Sequence, residues 1–187
     1  MRPLRLLLLP SLALAAACGD AFPLPKAGSD NVVDTVSLYA LSGTAPRQPS
    51  AYWLGNYVTP ARPILIQDGA PFDFAIDLDS AYQAVLKPTG ALRLGRSSGV
   101  MTTTLPFDSI RIAPGAGFQL DSAVTVPIGG RAIVHSRQTT CDTGIPAVYY
   151  AKLEILTVDT ATRRIDFQIL VDNNCGYRGL ELGRPRR

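Results

Sequence analysis

The segment Phe72-Asp73-Phe74-Ala75-Ile76-Asp77-Leu78-Asp79 carries the clearest structural pattern in the chain. Positions 72, 74, 76 and 78 are large and apolar, whereas positions 73, 77 and 79 are aspartates. A period of two is typical of a β-strand with one face in a core and the other in solvent. We therefore predict a half-buried strand at 72–79 with its three acids on the solvated face.

Short apolar segments separated by Gly, Pro, Asp and Ser extend this pattern in both directions. They predict further strands near residues 32–40, 64–66, 82–86, 107–112, 123–126 and 132–136. Near the end, 148–158 and 164–171 are predicted to form a hairpin around the turn at 159–162. No segment after the N-terminal region keeps a helical apolar period, and 15 prolines are spread through the chain. The prediction is an all-β fold, a single β-sandwich or barrel-like domain of mainly antiparallel strands.

The chain begins with the residues MRPLRLLLLPSLALAAACGD. Arg2 and Arg5 precede an apolar run at 6–17, which is too short for a membrane-spanning helix of roughly 20 residues. A basic start, a short apolar run and small residues before a cleavage point are typical of an export signal. We expect these residues to direct the chain out of the cytoplasm.

The end of this signal, Leu14-Ala15-Ala16-Ala17-Cys18, resembles the lipobox of bacterial lipoproteins. That family usually has Leu three residues before the Cys, where this chain has Ala15. The resemblance implies cleavage before Cys18, lipidation of its thiol and anchoring in a membrane. Gly19, rather than Asp, follows the Cys, which by the same resemblance favours the outer membrane if the cell has one. The alternative is an ordinary secretory signal that leaves Cys18 as a plain cysteine.

These signals divide the chain into three parts. Residues 1–17 are the predicted signal peptide, 18–31 an acylated N-terminus and flexible tether rich in Gly and Pro, and 32–187 the β-sandwich domain. Because Arg2 and Arg5 belong to the signal, the overall charge of +3 falls to +1 in the mature part. This near-neutral balance gives no reason to expect a nucleic-acid partner.

The chain has three cysteines. If Cys18 is acylated, Cys141 and Cys175 remain as a pair in a compartment where disulfides persist. We predict a disulfide between them. His135 could in principle join them at a metal, but no spacing typical of metal ligands is present, and we expect neither a metal nor a cofactor.

Two motifs match catalytic patterns. Gly95-Arg96-Ser97-Ser98-Gly99 fits the G-x-S-x-G motif of serine hydrolases, and Asp121 and His135 follow in a suitable order. That motif needs a helix after the serine, whereas the residues at 100–104 favour a strand, so a loop explains the match. Asp142-Thr143-Gly144 fits one half of an aspartic protease site, but no second copy exists, and we interpret it as a turn.

Two groups of side chains are candidates for binding. The aromatic residues Tyr52, Trp53 and Tyr57 offer large rigid surfaces that stack on sugars or anchor a partner, although they fill a core equally well. The aspartates at 73, 77 and 79 have oxygen ligands suited to Ca²⁺, and we interpret them as a solvated strand face.

The sequence therefore favours a membrane-anchored envelope lipoprotein with a non-enzymatic β-domain that binds or supports another component. Its expected partners are the membrane, through the N-terminal lipid, and an envelope protein or polysaccharide. An exported serine hydrolase using Ser97 and His135, or a carbohydrate-binding module, are the alternatives.

Overall fold

The computed structural model describes residues 26–56 and 58–185. The strands in these ranges are β1 (Val33–Tyr39), β2 (Ala51–Trp53), β3 (Arg62–Ile64), β4 (Phe74–Leu78), β5 (Ala84–Pro88), β6 (Gly99–Thr103), β7 (Val124–Val126), β8 (Arg131–His135), β9 (Thr139–Thr140), β10 (Pro146–Ala147), β11 (Tyr150–Asp159) and β12 (Arg164–Asp172). Short 3-10 helices span Ile66–Asp68, Thr89–Leu92 and Phe107–Ser109. Within the described ranges, no helix has the length and apolar character needed to cross a membrane.

Ten of these strands form two antiparallel sheets of five. The first sheet has the order β1-β12-β11-β8-β6 and the second has the order β3-β2-β4-β5-β7, while β9 and β10 form a separate small pair. A large apolar cluster contains side chains from both five-stranded sheets, so the sheets pack face to face around one core. The all-β prediction is confirmed, and the architecture is that of a β-sandwich.

An aromatic cluster occupies the middle of this core. Phe74 on β4 and Phe167 on β12 belong to different sheets, and their ring centroids are 6.4 Å apart. Tyr52 lies 5.8 Å from Phe74 and 6.1 Å from Phe167, the latter in an edge-to-face arrangement. Rings at these separations add to the free energy of burial. The cluster therefore stabilises the packing of the two sheets against each other.

The segment at 72–79 forms β4, the central strand of the second sheet. Its alternation is confirmed for Phe74, Ile76 and Leu78, which all enter the core between the sheets. The predicted solvated face is wrong, because Asp73 and Asp77 are 0% and 3% exposed. Phe72 precedes the strand and joins a second apolar cluster on the outer face of this sheet. Loops therefore cover the face that the sequence pattern assigned to water.

The predicted C-terminal hairpin is confirmed as β11 and β12. Asp159 closes its turn, since its carboxylate accepts hydrogen bonds from the backbone of Ala161 and Thr162. The predicted disulfide is also confirmed, with the Cα atoms of Cys141 and Cys175 5.8 Å apart. It joins the segment before the hairpin to the segment after it.

Asp142-Thr143-Gly144 forms a tight turn directly after Cys141, as expected. The Gly144 N–H donates to the Cys141 carbonyl, and Gly144 has a φ of 79°, which favours glycine. The three residues are exposed. The protease-like motif is therefore explained by local backbone geometry.

The strand predicted at 107–112 is wrong. Phe107–Ser109 forms a 3-10 helix after Pro106, and Ile112 is exposed. The cause is tertiary: Phe107 and Ile110 turn inwards onto the outer face of the first sheet, where they pack with Leu180. This loop and the C-terminal segment together cover part of the outer face of that sheet.

The last residues of the segment predicted as a tether, 28–31, contact the β-sandwich. The backbone N–H groups of Gly28 and Ser29 donate to Oδ1 of Asn174 at 2.8 and 3.0 Å. Asn31 is 1% exposed and forms an antiparallel bridge with Gly183. Residues 28–31 therefore belong to the folded domain, while the predicted signal and Cys18 lie outside the described residues.

A buried carboxyl group, that of Asp172, supports the Asn174 side chain to which residues 28 and 29 bind. Asp172 is fully buried, and its Oδ1 accepts hydrogen bonds at 2.9 Å from both the backbone N and the Nδ2 of Asn174. Burial raises the pKa of Asp172 to about 6, although the hydrogen bonds from Asn174 act in the opposite direction. Asn174, which holds the N-terminal segment, is thus itself held by a carboxyl group whose pKa is about 6.

We predict that Asp172 makes the domain lose stability as the pH rises from about 4 to about 6. In this window the unfolded carboxyl is ionised near its ordinary pKa, whereas the folded one remains protonated up to about 6. The expected loss is about 2–3 kcal/mol in the free energy of unfolding, measured by urea titration at each pH. Asp172→Asn keeps an acceptor oxygen for Asn174 and should remove this part of the pH dependence.

The matched control is Asp68→Asn, because Asp68 is exposed. It should retain the pH dependence of the parent protein. The prediction is contradicted if Asp172→Asn and Asp68→Asn lose the same stability over this range.

Candidate functional site

A pocket of about 360 Å³ lies on the outer face of the second sheet, where β4 begins. Its walls come from the loop before β4, the segment after β5 and the residue two positions beyond β8. The lining residues are Ile66, Gly69, Ala70, Pro71, Phe72, Thr89, Leu94, Ser97 and Arg137. Small-molecule sites typically combine such an apolar wall with a few fixed polar groups. We call this cavity the Arg137 pocket.

An ion pair between the buried Asp73 and the partly exposed Arg137 fixes the polar end of the pocket. Asp73 is fully buried and accepts hydrogen bonds from the backbone N–H groups of Leu54, at 2.8 Å, and Arg137, at 2.9 Å. The Arg137 Nε lies 3.4 Å from the same carboxylate, and its Nη2 donates to the Phe72 carbonyl. Burial raises the pKa of Asp73, while these donors favour its charged form. Two contacts therefore hold the guanidinium in place, and two backbone N–H groups fix the carboxylate with which it pairs.

The guanidinium still has unused donors. Arginine has five N–H groups, and Asp73 and Phe72 engage two of them. No described residue accepts a hydrogen bond from Nη1, and the Arg137 side chain is 35% exposed. The remaining N–H groups are sufficient for a two-pronged contact with an oxygen pair.

A hydroxyl network lies on the other side of the pocket. The Thr89 hydroxyl donates to the Gly95 carbonyl at 2.7 Å and lies 3.1 Å from the Ser97 hydroxyl. Because a carbonyl only accepts, the single Thr89 proton is used there, and the two lone pairs of the Thr89 oxygen accept from the Ser97 hydroxyl and from the Ser98 hydroxyl at 3.0 Å. The lone pairs of the Ser97 oxygen are left to accept. Ser97 is exposed, whereas Thr89 and Ser98 beneath it are buried.

The structure does not bring Ser97, Asp121 and His135, the residues of the alternative hydrolase hypothesis, together as a catalytic triad. His135 uses Nδ1 to contact the Ser136 carbonyl at 2.9 Å, and its ring packs edge-on against Phe118 at 4.6 Å. Its Nε2 faces Gly99, where an added Cβ would lie 2.5 Å away. No hydrogen bond joins it to Ser97 in the described part of the chain.

The remaining features of the motif also lack the hydrolase arrangement. Asp121 is exposed and pairs with Arg96 at 3.3 Å. Strand β6 (Gly99–Thr103) follows the serine instead of the helix that a hydrolase needs. Gly95, with a φ of 93°, turns the loop into this strand. The loop interpretation of the motif agrees with this geometry.

Two of the three aromatic candidates, Tyr52 and Trp53, lie on opposite faces of β2. Tyr52 is 2% exposed and belongs to the central aromatic cluster, where burial raises its pKa. Trp53 points to the opposite face of β2, as neighbouring strand residues do, and the Arg62 guanidinium lies 5.8 Å from its ring centroid. Tyr57 lies outside the described residues. The structure therefore separates Tyr52 from Trp53.

The aspartates of β4 use their oxygens on protein donors. Asp77 accepts from Lys87 Nζ at 2.7 Å, from Leu78 N at 2.9 Å and from both donors of Ser42. Burial acts against its charge, but these donors prevail and lower the pKa of Asp77. Asp79 caps the turn to β5 by accepting from two backbone N–H groups. No cluster of metal-ligating side chains occurs in residues 26–56 and 58–185.

The sequence patterns did not identify Arg137. It follows a strand in a polar stretch, and its partner Asp73 is 64 positions away. Lys152 was also missed: it is 2% exposed and donates to the carbonyls of Phe107 and Ile110 at 2.8 and 3.1 Å. In the sequence, the only local indication of these two residues is their charge, since Lys152 stands inside an apolar strand and Arg137 follows one closely.

Lys152 lines a second cavity of about 450 Å³ with Asp108, Arg111, Glu181 and Leu182. Burial lowers the pKa of Lys152, while Asp108 and Glu181 oppose that change. Its ammonium fastens the 3-10 helix to the sheet and lies 4.4 Å from the Phe107 ring centroid. The two cationic and two anionic side chains that line this cavity cancel in net charge, so its electrostatics favour neither anionic nor cationic ligands.

Comparison with known proteins does not assign the chain to a family. No protein-family model matches it, and no curated protein has a matching sequence. The functional argument therefore depends on the residues themselves.

We predict that Asp73→Ala lowers the free energy of unfolding by about 3 kcal/mol. The change leaves the buried Leu54 N–H without its acceptor and the Arg137 guanidinium without a counter-charge. Chemical denaturation measures the loss, and the exposed Asp68→Ala is the control, with an expected change within about 0.5 kcal/mol. Equal stability of the two variants would contradict this role for Asp73.

Proposed function

We propose that the chain is an exported envelope lipoprotein, anchored through Cys18, whose β-sandwich acts by binding a ligand in the Arg137 pocket. The observation that carries the binding role is the guanidinium of Arg137, fixed by the buried Asp73 beside an apolar wall. A preorganised donor beside apolar surface lowers the entropic cost of binding. The absence of contact between Ser97 and His135 favours binding over serine catalysis.

The proposed export has separate support. A disulfide between Cys141 and Cys175 is compatible with an oxidising compartment, and the remaining cysteine, Cys18, is the one in the segment that resembles a lipobox. Nine residues lie between Cys18 and the docked Gly28, and the ten Cα-to-Cα steps from one to the other reach at most about 35 Å. In this proposal the side of the domain that holds residues 28–31 faces the membrane, and the outer membrane is favoured if the cell has one.

The anchor is tested by the intact mass of the unreduced protein extracted from bacterial membranes. The expected chain starts at Cys18, carries acyl groups and lacks the two hydrogens lost in forming the disulfide. Cys18→Ala should be unacylated and leave the membrane fraction, because the acyl chains supply the anchor. A parent protein without acyl groups would refute the anchor.

The binding role is tested by nuclear magnetic resonance with a mixture of acidic, basic and neutral small molecules. We expect the induced shifts to cluster at the pocket residues Ile66, Leu94, Ser97 and Arg137, since concave sites with fixed polar groups attract small ligands. Ala70→Trp, which fills the pocket, should remove these shifts. Shifts confined to other surfaces, or none at all, would contradict a ligand site here.

A further inference from the structure

The electrostatics of the Arg137 pocket select a ligand of one charge type. Among the described residues that line it, Arg137 alone is charged, and its counter-ion Asp73 lies beneath the wall, fully buried. A ligand in the pocket therefore contacts the N–H groups of the Arg137 cation, and none of the described lining residues carries a carboxylate. Arginine binds planar oxyanions through paired N–H groups. One guanidinium already shared with one carboxylate suits a monoanion better than a phosphate dianion.

The pocket also contains a defined acceptor. The proton of Ser97 is directed to Thr89, and the proton of Thr89 is directed to the Gly95 carbonyl. The Ser97 oxygen therefore presents lone pairs, which match a hydroxyl or amide N–H of a ligand. A ligand with an acceptor alone would leave this oxygen to water.

The rest of the wall is apolar. Ile66, Ala70, Pro71 and Leu94 form much of it, together with Phe72. Leu94 is 60% exposed, whereas Phe72 is 7% exposed. An exposed leucine at such a rim gains free energy when an apolar group covers it. The ligand should therefore carry an apolar body beside its acidic group.

We propose that the Arg137 pocket binds a small amphipathic carboxylate: an acid group on Arg137, a hydroxyl or amide donor on Ser97, and an apolar body against Leu94 and Phe72. An N-acylated apolar amino acid has this chemistry. The inference rests on the proposed binding role of the pocket and adds the class of its ligand.

The test is a calorimetric titration of the full oxidised chain with N-acetyl-leucine and with its neutral amide, N-acetyl-leucinamide. The two compounds share the apolar body and the N–H donor and differ only in the acid group. We expect the acid to bind at least about tenfold more tightly, because a charge-assisted contact with Arg137 is lost in the amide.

Three pocket variants locate the binding. Arg137→Gln should weaken the acid by at least about tenfold and leave the amide unchanged. Because this variant also disturbs the buried pair with Asp73, the exposed Ser97→Ala and Leu94→Ser provide tests that spare the fold, and each should weaken the acid severalfold. Arg47→Gln, at an exposed arginine outside the pocket, is the matched control and should change nothing.

The outcomes separate the two proposals. Equal affinity for the acid and the amide, both weakened by Ser97→Ala, would overturn the carboxylate class and retain the pocket as a binding site. Binding of the acid that no pocket variant alters would overturn the assignment to this pocket. Failure of both compounds to bind would overturn this ligand class, while the fragment experiment decides the binding role independently.

Discussion

Contact between Phe74 of one sheet and Phe167 of the other holds the sandwich together. Their rings, with that of Tyr52, occupy the middle of an apolar cluster built from both sheets. Because burial of apolar surface is the main favourable term in folding, the apolar face of each strand turns inwards to join this cluster. The outer faces are then left to be covered by loops or water, and the functional features arise there.

Burial of the outer face of β4 is the source of the Arg137 pocket. Loops before and after the neighbouring strands cover this face, so Asp73 and Asp77 lose water and need partners. Asp77 forms an ion pair with Lys87. Asp73 forms an ion pair with Arg137 and accepts hydrogen bonds from two backbone N–H groups. The requirement to satisfy a buried carboxylate thus places a guanidinium at the pocket wall, where its spare donors remain accessible.

The C-terminal region organises the other end of the molecule. The disulfide joins the two ends of the terminal hairpin, and Asn174, next to Cys175, binds the backbone at 28 and 29. Asp172 beneath Asn174 carries a pKa near 6, so its charge state changes in a mildly acidic environment. In the proposed anchored protein, the same region would orient the domain relative to the membrane.

The sequence alone determined the features that depend on local pattern or simple counting. Alternation identified β4, the hairpin of β11 and β12 and the all-β class, and the pairing of the two cysteines left after Cys18 identified the disulfide. Only the tertiary structure decided that the second face of β4 is covered, that Arg137 meets Asp73 across 64 positions and that Ser97 and His135 make no contact. The physical reason is that alternation reports which face of a strand is apolar, whereas burial of its polar face depends on loops that arrive from distant parts of the chain.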